Sequence, residues 1–306
     1  MCPPCFAHFP ADADRNVPAL PWSFEPWTIA LLAVGMALYA LGAARLWDRA
    51  GAWRGLGRGP VAAWCTGWTV LVVALVSPLD PLGESLFSAH MVQHELLMVV
   101  AAPMIVMGRP LAAWTWALPA HWRPAVGRPF RAGGWKRSWR GLTHPLTAWS
   151  LHAVALWGWH LPILFEAALA HPAIHAFQHL SFLGTALLFW WTTLGTASRR
   201  AQGAALASLF TTMIHTGALG ALMTLSPLLW YGHYAGTSAI YGFDPLEDQE
   251  LGGLIMWVPA GAAYLAVALA IAARWLGRKD AAPVIVPAVA LRSADAMAGA
   301  PAAPRS

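Results

Sequence analysis

Charge is what this chain has least of. Only 11% of its 306 residues are Asp, Glu, Lys or Arg, about half the share usual in a soluble globular protein. With 58% hydrophobic residues, that scarcity excludes an ordinary water-soluble domain. Cysteine is scarce too. Cys2, Cys5 and Cys65 are the only ones, too few for a disulfide framework, and Cys65 falls in an apolar stretch as a small core residue. Residues 1–25 lack an apolar core preceded by positive charge, so no secretory signal is read there. Tyrosine is rare (5) where tryptophan is plentiful (19), which suits a chain anchored at membrane–water interfaces. The formal net charge of +5 does not point to nucleic acid, because the basic residues keep to particular loops.

What is present is a series of apolar runs of about 20 residues, the length that crosses hydrocarbon. They fall near 26–46, 61–79, 87–107, 145–165, 173–195, 204–230 and 252–275. Leu111 to Leu118 is apolar but too short to cross, and Pro110 and Pro119 bracket it; it reads as an interfacial segment. Arg45, Arg49, Arg54 and Arg58 follow the first run. Seven cations from Arg109 to Arg140 follow the third, Arg199 and Arg200 the fifth, and Arg274, Arg278 and Lys279 the seventh. The alternate loops 80–86, 166–172 and 231–251 have no Lys or Arg and carry Asp80, Glu84, Glu166, Asp244, Glu247, Asp248 and Glu250. The positive-inside rule then predicts an all-α bundle of seven transmembrane helices, N-terminus outside and C-terminus cytoplasmic. The domains expected are an outer tail over 1–25, a membrane domain over 26–276 and a flexible Ala/Pro-rich cytoplasmic tail over 277–306.

Histidines interrupt these apolar runs. His90 and His94 stand four apart, as do His171, His175 and His179, a step that keeps side chains on one helix face, about 40° apart. In the predicted topology His90 and His94 lie about 6 and 12 Å below the outer start of span three, with His175 and His179 at about 5 and 10 Å in span five. His160 falls near the outer end of span four, His152 and His215 near mid-depth, and His233 just outside. His121 and His144 are cytoplasmic loop residues and His8 lies in the outer tail. Intramembrane imidazoles are costly unless paired or ligated, and their neutral form binds transition metals. Met98 extends the His90–His94 stripe by one more step of four. Imidazole with thioether suits Cu(I); zinc is not excluded. The bland readings are hydrogen-bonded packing for His152 and His215, and core filling for single methionines. Cys2 and Cys5 form a CxxC that either binds copper or does nothing.

Several chemistries are missing a residue. His94-Glu95-Leu96-Leu97-Met98 has Met where a zincin needs its second His. The paired HxxHH boxes of membrane di-iron desaturases do not occur. Haem held by two imidazoles from facing helices stays open, with His94 or His160 opposite His175 or His179. A metal permease would need polar residues through the cytoplasmic half, where few besides Thr and Ser occur.

The stretch SAHMVQHELL over 88–97, followed by Ala102-Pro103 and Gly108-Arg109-Pro110, resembles the caa3-type CtaG family of cytochrome c oxidase assembly factors. Trp159-His160-Leu161-Pro162, His175 to Trp191, and DQELGGLIMWVP over 248–259 agree with it in the same order. Glu250 stands where a second Gln is expected. The resemblance covers about 26–276. It implies a non-enzymatic, multi-pass protein of the bacterial cytoplasmic membrane that helps mature a haem–copper oxidase. The expected partners are the subunit carrying CuB, an outer-side copper donor and membrane lipid. Residues and resemblance together predict a copper pocket of His90, His94, His160, His175 and His179, with Met98 as a soft ligand and His171 or His233 at its mouth. The rival reading is a haem-binding redox protein; a copper permease ranks third. Asp248 and Gln249 are expected near the outer end of span seven, closing the pocket, touching the client or merely solvated.

Overall fold

The computed structural model describes residues 19–195 and 198–277. Cys2, Cys5, His8 and the tail beyond 277 lie outside the described residues. Within them the chain is helical, with no strand. It runs through α1 (Pro26–Ala50), α2 (Arg58–Val76), α3 (Leu79–Ser85) and α4 (Phe87–Glu95). A π-helical turn (Leu96–Ala101) joins α4 to α5 (Ala102–Met107). Short helices α6 (Pro110–Ala117), α7 (Arg123–Arg131) and α8 (Gly133–Leu142) lead to α9 (Pro145–Trp159) and α10 (Pro162–Ala170). Then come α11 (Pro172–Leu194), α12 (Arg199–Thr224), α13 (Tyr234–Thr237), a 3₁₀ turn (Ser238–Tyr241) and α14 (Pro245–Leu276). Six of these helices begin on a proline, which fixes φ for the first turn where its missing N–H is not needed.

Five stretches are long and apolar enough to cross a membrane: α1, α2, the continuous 87–107 segment, residues 201–224 of α12, and α14. A sixth is counted if α9 and α10, bent by 75°, form one span. The remaining expected span, the fifth run, coincides with α11, which has the length at 23 residues but carries His175, Gln178 and His179 in its first turns. Those polar residues dilute its hydropathy.

Three boundaries differ from expectation for local reasons. The fourth run was expected to continue to 165, but Pro162 holds Leu161 extended (φ −63°, ψ 128°) and α9 stops at Trp159. The seventh helix starts at Pro245, ahead of the expected 252, because the Asp244 carboxylate accepts from the N–H groups of Leu246 (2.9 Å) and Glu247 (3.4 Å). The third run is interrupted by the π turn, where Pro103 removes an amide and crowds the carbonyl four residues back. The apolar segment expected to lie at the interface is α6, packed along the second half of α1. Tyr39 donates to Gly108 O at 2.9 Å, and the Arg45 guanidinium donates to Ala117 O.

Two cores share the 87–107 segment. One stacks Tyr39 on Trp64 (4.3 Å) and Trp64 on Trp68 (4.5 Å) between α1, α2 and α6. The other joins Phe87, Phe165, Phe182, Phe189, Trp190, Tyr231 and Tyr264. Bare backbone brings α14 against its neighbours. A Cβ at Gly252 would run into the Phe87 ring, and one at Gly253 would lie 2.6 Å from Gly220 O. Leucine, valine and isoleucine cover much of the outside, as at Val154, Ile163, Leu180 and Leu269.

Candidate metal centre

Three helices bring five imidazoles together. From α4, His90 and His94 sit with ring centres 4.3 Å apart. From α11, His175 and His179 are 4.2 Å apart. Across the helices, His90 lies 5.3 Å from His175 and His94 lies 5.5 Å from His179. His160, at the break after α9, is 6.2 Å from His94. One ring nitrogen each from His90, His175 and His179 lies within 4.8 Å of the other two, within reach of a single ion. The Pro162 break is what aims His160 here: as the C-cap of α9 it leaves the helical path, and Tyr231 holds its carbonyl with a 2.9 Å hydrogen bond.

Hydrogen bonding fixes which nitrogen faces inward. His90 Nδ1 lies 3.3 Å from Gly83 O and His160 Nδ1 lies 2.7 Å from Leu156 O. A carbonyl only accepts, so each Nδ1 carries the proton and each Nε2 of the neutral ring keeps its lone pair. Tyr234 reinforces the first contact: its hydroxyl donates to Gly83 O at 2.9 Å and lies 3.5 Å from His90 Nδ1. The Nε2 atoms of His90, His94, His160, His175 and His179, and Nδ1 of His94, are buried with no hydrogen-bond partner. Leaving a buried polar atom unpaired costs about 1–3 kcal/mol, and a cluster of six such atoms is far from ordinary packing. A neutral imidazole offers one lone pair, and a cation shared by His90, His175 and His179 would satisfy three of them, so these residues fit a metal.

The neighbouring sequence braces the centre. Gln93, between the two α4 histidines, donates to Ala74 O (2.8 Å) and to Asp80 Oδ1 (2.7 Å). Asp248 is fully buried; its carboxylate accepts from Phe87 N (2.7 Å), Ser88 N (3.1 Å), Ser88 Oγ (2.5 Å) and Ser238 Oγ (2.9 Å). It thus caps α4 from another helix, where Leu86 offers no side-chain cap. Gln249, equally buried, donates to Met223 O and Leu228 O and accepts from Trp230 N at 2.6 Å. Neither residue is solvated or presented to a partner, which corrects those two of the three readings expected for this pair.

A cavity of about 350 Å³ opens beside the cluster, between α1, α2 and α11. His175 and His179 line it, as do Glu25, Asp80 and Glu84. The sequence had marked Asp80 and Glu84 only as topology signals; their place at this cavity depends on the tertiary fold. Burial, and then the neighbouring Asp80, push the Glu84 carboxyl above its ordinary range, against the opposing pull of His233.

The other predicted residues lie around this centre. His171 is the exposed N-cap of α11, one turn before His175. His233 is also exposed, and its Nε2 donates to Glu84 O at 2.9 Å, so that atom is not a free lone pair. Met98 is buried, but it falls in the π turn, which breaks the four-residue step from His94; its carbonyl accepts from the Trp190 indole at 2.8 Å. His152 Nδ1 pairs with Thr185 Oγ1 (3.2 Å) and His215 Nδ1 accepts from Trp157 (3.4 Å), while the Nε2 of each is buried without a partner.

The family profile described as cytochrome c oxidase caa3 assembly factor matches residues 37–278. The chain belongs to this Caa3_CtaG family. It is similar to the uncharacterized protein Mb0105 of Mycobacterium bovis, 29% identical over 260 residues, covering 82% of this chain and 38% of that protein. MT0111 of Mycobacterium tuberculosis gives the same figures. The uncharacterized protein ML1998 of Mycobacterium leprae is 26% identical over 229 residues, 72% of this chain and 35% of its own length. The chain thus spans less than two fifths of the length of these curated relatives. No solved structure matches it. In this Caa3_CtaG member the HMVQH motif supplies two imidazoles and their Gln93 brace. The DQELGG motif supplies the cap of α4 and the two glycines that let α14 approach. At the departure from the expected motif, Glu250, it is the backbone carbonyl that is used, accepting from Thr224 Oγ1 at 3.2 Å.

Proposed function

We propose that this protein is a non-enzymatic assembly factor of the cytoplasmic membrane that handles Cu(I) for the CuB centre of a haem–copper oxidase. One observation carries the reading: a cluster of five histidines, His90, His94 and His160 buried and His175 and His179 half-buried at the cavity, whose Nε2 atoms have no hydrogen-bond partner. Family membership supports the oxidase as client. A set of neutral imidazoles with no thiolate among them suits a soft monovalent ion more than a hard cation. Held within the bilayer, such an ion passes between imidazole sites by ligand exchange without meeting water. The acidic cavity beside His175 and His179 is the route by which the ion arrives from an outer-side donor, Glu25, Asp80 and Glu84 drawing in positive charge.

The haem alternative is less well supported. Phe165 packs 4.9 Å from His90, and Phe182 packs 4.7 Å from His94. These rings fill the space beside the imidazoles that a macrocycle needs. In the full topology we propose, α11 also crosses, as the fifth of seven spans, the N-terminus and residues 1–25 lie outside, and residues 277–306 lie in the cytoplasm.

The test is metal and pigment content of the purified protein, wild type beside His90→Ala/His94→Ala. Copper retained under reducing conditions by the wild type and lost from a folded double variant supports the reading. A Soret band, or no copper after loading, overturns it.

A further inference from the structure

The long loop between α6 and α9 folds into two short helices, and the copper reading does not use them. From Leu96 to Phe165 the chain has no Asp or Glu. In α8, Trp135, Trp139 and Leu142 fall within about 60° of one another around the axis, with Lys136, Arg137 and Arg140 on the other side. In and before α7, Trp122, Val126 and Phe130 repeat every four residues, and Arg128 is turned away from them. Trp122, Phe130 and Trp135 are 57%, 51% and 44% exposed, and Arg128, Lys136, Arg137 and Arg140 are exposed too. Arg123 is already engaged, its guanidinium 4.3 Å over Trp116 and donating to Leu118 O and Trp116 O. Phe130 meets Trp135 edge-on at 5.0 Å, which closes the two helices into a hairpin. Trp139 meets Trp191 at 6.3 Å, which ties the hairpin to the last turn of α11, at the end of the bundle.

We propose that the α7–α8 hairpin is a docking surface for the anionic lipid headgroups of the surrounding membrane. An acidic protein segment would account for the cations but leave the exposed tryptophans and Phe130 without an apolar partner. A lipid surface accounts for both, because it presents phosphate and acyl chain at adjacent depths. The hairpin is already fastened beside the membrane-crossing helices, so this surface requires no separate recruitment. Its cations sit at phosphate level and its aromatic stripes below.

The experiment uses the full-length protein in neutral detergent, mixed with equal amounts of phosphatidylglycerol and phosphatidylcholine. Lipid retained after gel filtration is quantified by mass spectrometry. The wild type is expected to retain phosphatidylglycerol over phosphatidylcholine by about threefold or more, with the preference collapsing at high salt. Arg128→Gln/Lys136→Gln/Arg137→Gln/Arg140→Gln is expected to retain the two as supplied, with an unchanged unfolding temperature. Should that variant fail to fold, Lys136→Gln/Arg137→Gln is read in its place and is expected to lose part of the preference. A wild-type ratio equal to the mixture overturns the proposal, as does a salt-insensitive preference or a folded variant that keeps the wild-type ratio.

Discussion

Within the cluster the five imidazoles are not equivalent. His90 and His160 have their tautomer set by a backbone carbonyl, whereas both nitrogens of His94 are without a partner. Such outer contacts orient a ligand before the metal arrives. The acidic side chains at the cavity are poised differently. Burial and Asp80 raise the Glu84 carboxyl above its ordinary range, so folding makes its ionisation less favourable than in the unfolded chain. The folded-state value exceeds the unfolded one. Stability from this group is therefore greatest at low pH and falls as pH rises above about 4.5. Glu84→Gln should raise the unfolding temperature at about pH 8 and leave it unchanged at about pH 4. Thermal melts of metal-free protein at both pH values check this; an equal gain at both would remove the electrostatic cause. The histidines were legible in the sequence because a step of four on a helix is a local property. The neighbours of Glu84 were not, since Glu25 and His233 reach it only through the tertiary fold.

Among the elements, α4 matters most, and its position is set from α14. Asp248 caps it across 160 residues of chain, through Phe87 N and the backbone and hydroxyl of Ser88. Gly252, one turn further along α14, leaves room for the Phe87 ring. Asp248→Ala would orphan two amides and the Ser88 hydroxyl at the start of the helix that carries His90 and His94, and the Ser238 hydroxyl in the 3₁₀ turn. A lost cap costs about 1–2 kcal/mol and each unpaired buried group about 1–3 kcal/mol. We expect destabilisation of at least about 2 kcal/mol. Copper affinity should fall about 10- to 100-fold, as when an outer-shell partner of a ligand is removed. Denaturant unfolding and competition with a Cu(I) chelator measure the two effects. Unfolding that weakens while copper affinity stays constant would separate the cap from the centre. From sequence, Asp248 was expected to close the pocket, touch the client or be merely solvated, because nothing local reveals a cap on a distant helix. For Met98 the spacing rests on a different assumption. The four-residue step assumes an α-helix, and the π turn that Pro103 brings breaks that step.

At the scale of the whole molecule, charge along the loops argues for a topology that helix length alone leaves at five or six crossings. The difference is α11. Its histidines lower its hydropathy, yet they face the cluster in the bundle, where ligation of a metal would offset the cost of polar groups in hydrocarbon. An interior-facing polar stripe of this kind does not prevent a helix from crossing. If α11 spans, the residues before it and after it lie on opposite sides. Residues 80–86 and 231–244, joined by the His233–Glu84 hydrogen bond, then share the side of Ala173. Single cysteines at Ala173→Cys and Ser198→Cys, both exposed positions, test this in a background lacking Cys2, Cys5 and Cys65. A membrane-impermeant maleimide on whole cells should label the first and spare the second, which reacts only after permeabilisation. Ala235→Cys should behave like Ala173→Cys, and Gly134→Cys, in the basic hairpin, like Ser198→Cys. Labelling of Ala173→Cys and Ser198→Cys from the same side would mean that α11 does not cross. The copper-accepting cavity and the basic hairpin would then no longer be assigned to opposite faces, and delivery from an outer donor would lose its geometric basis.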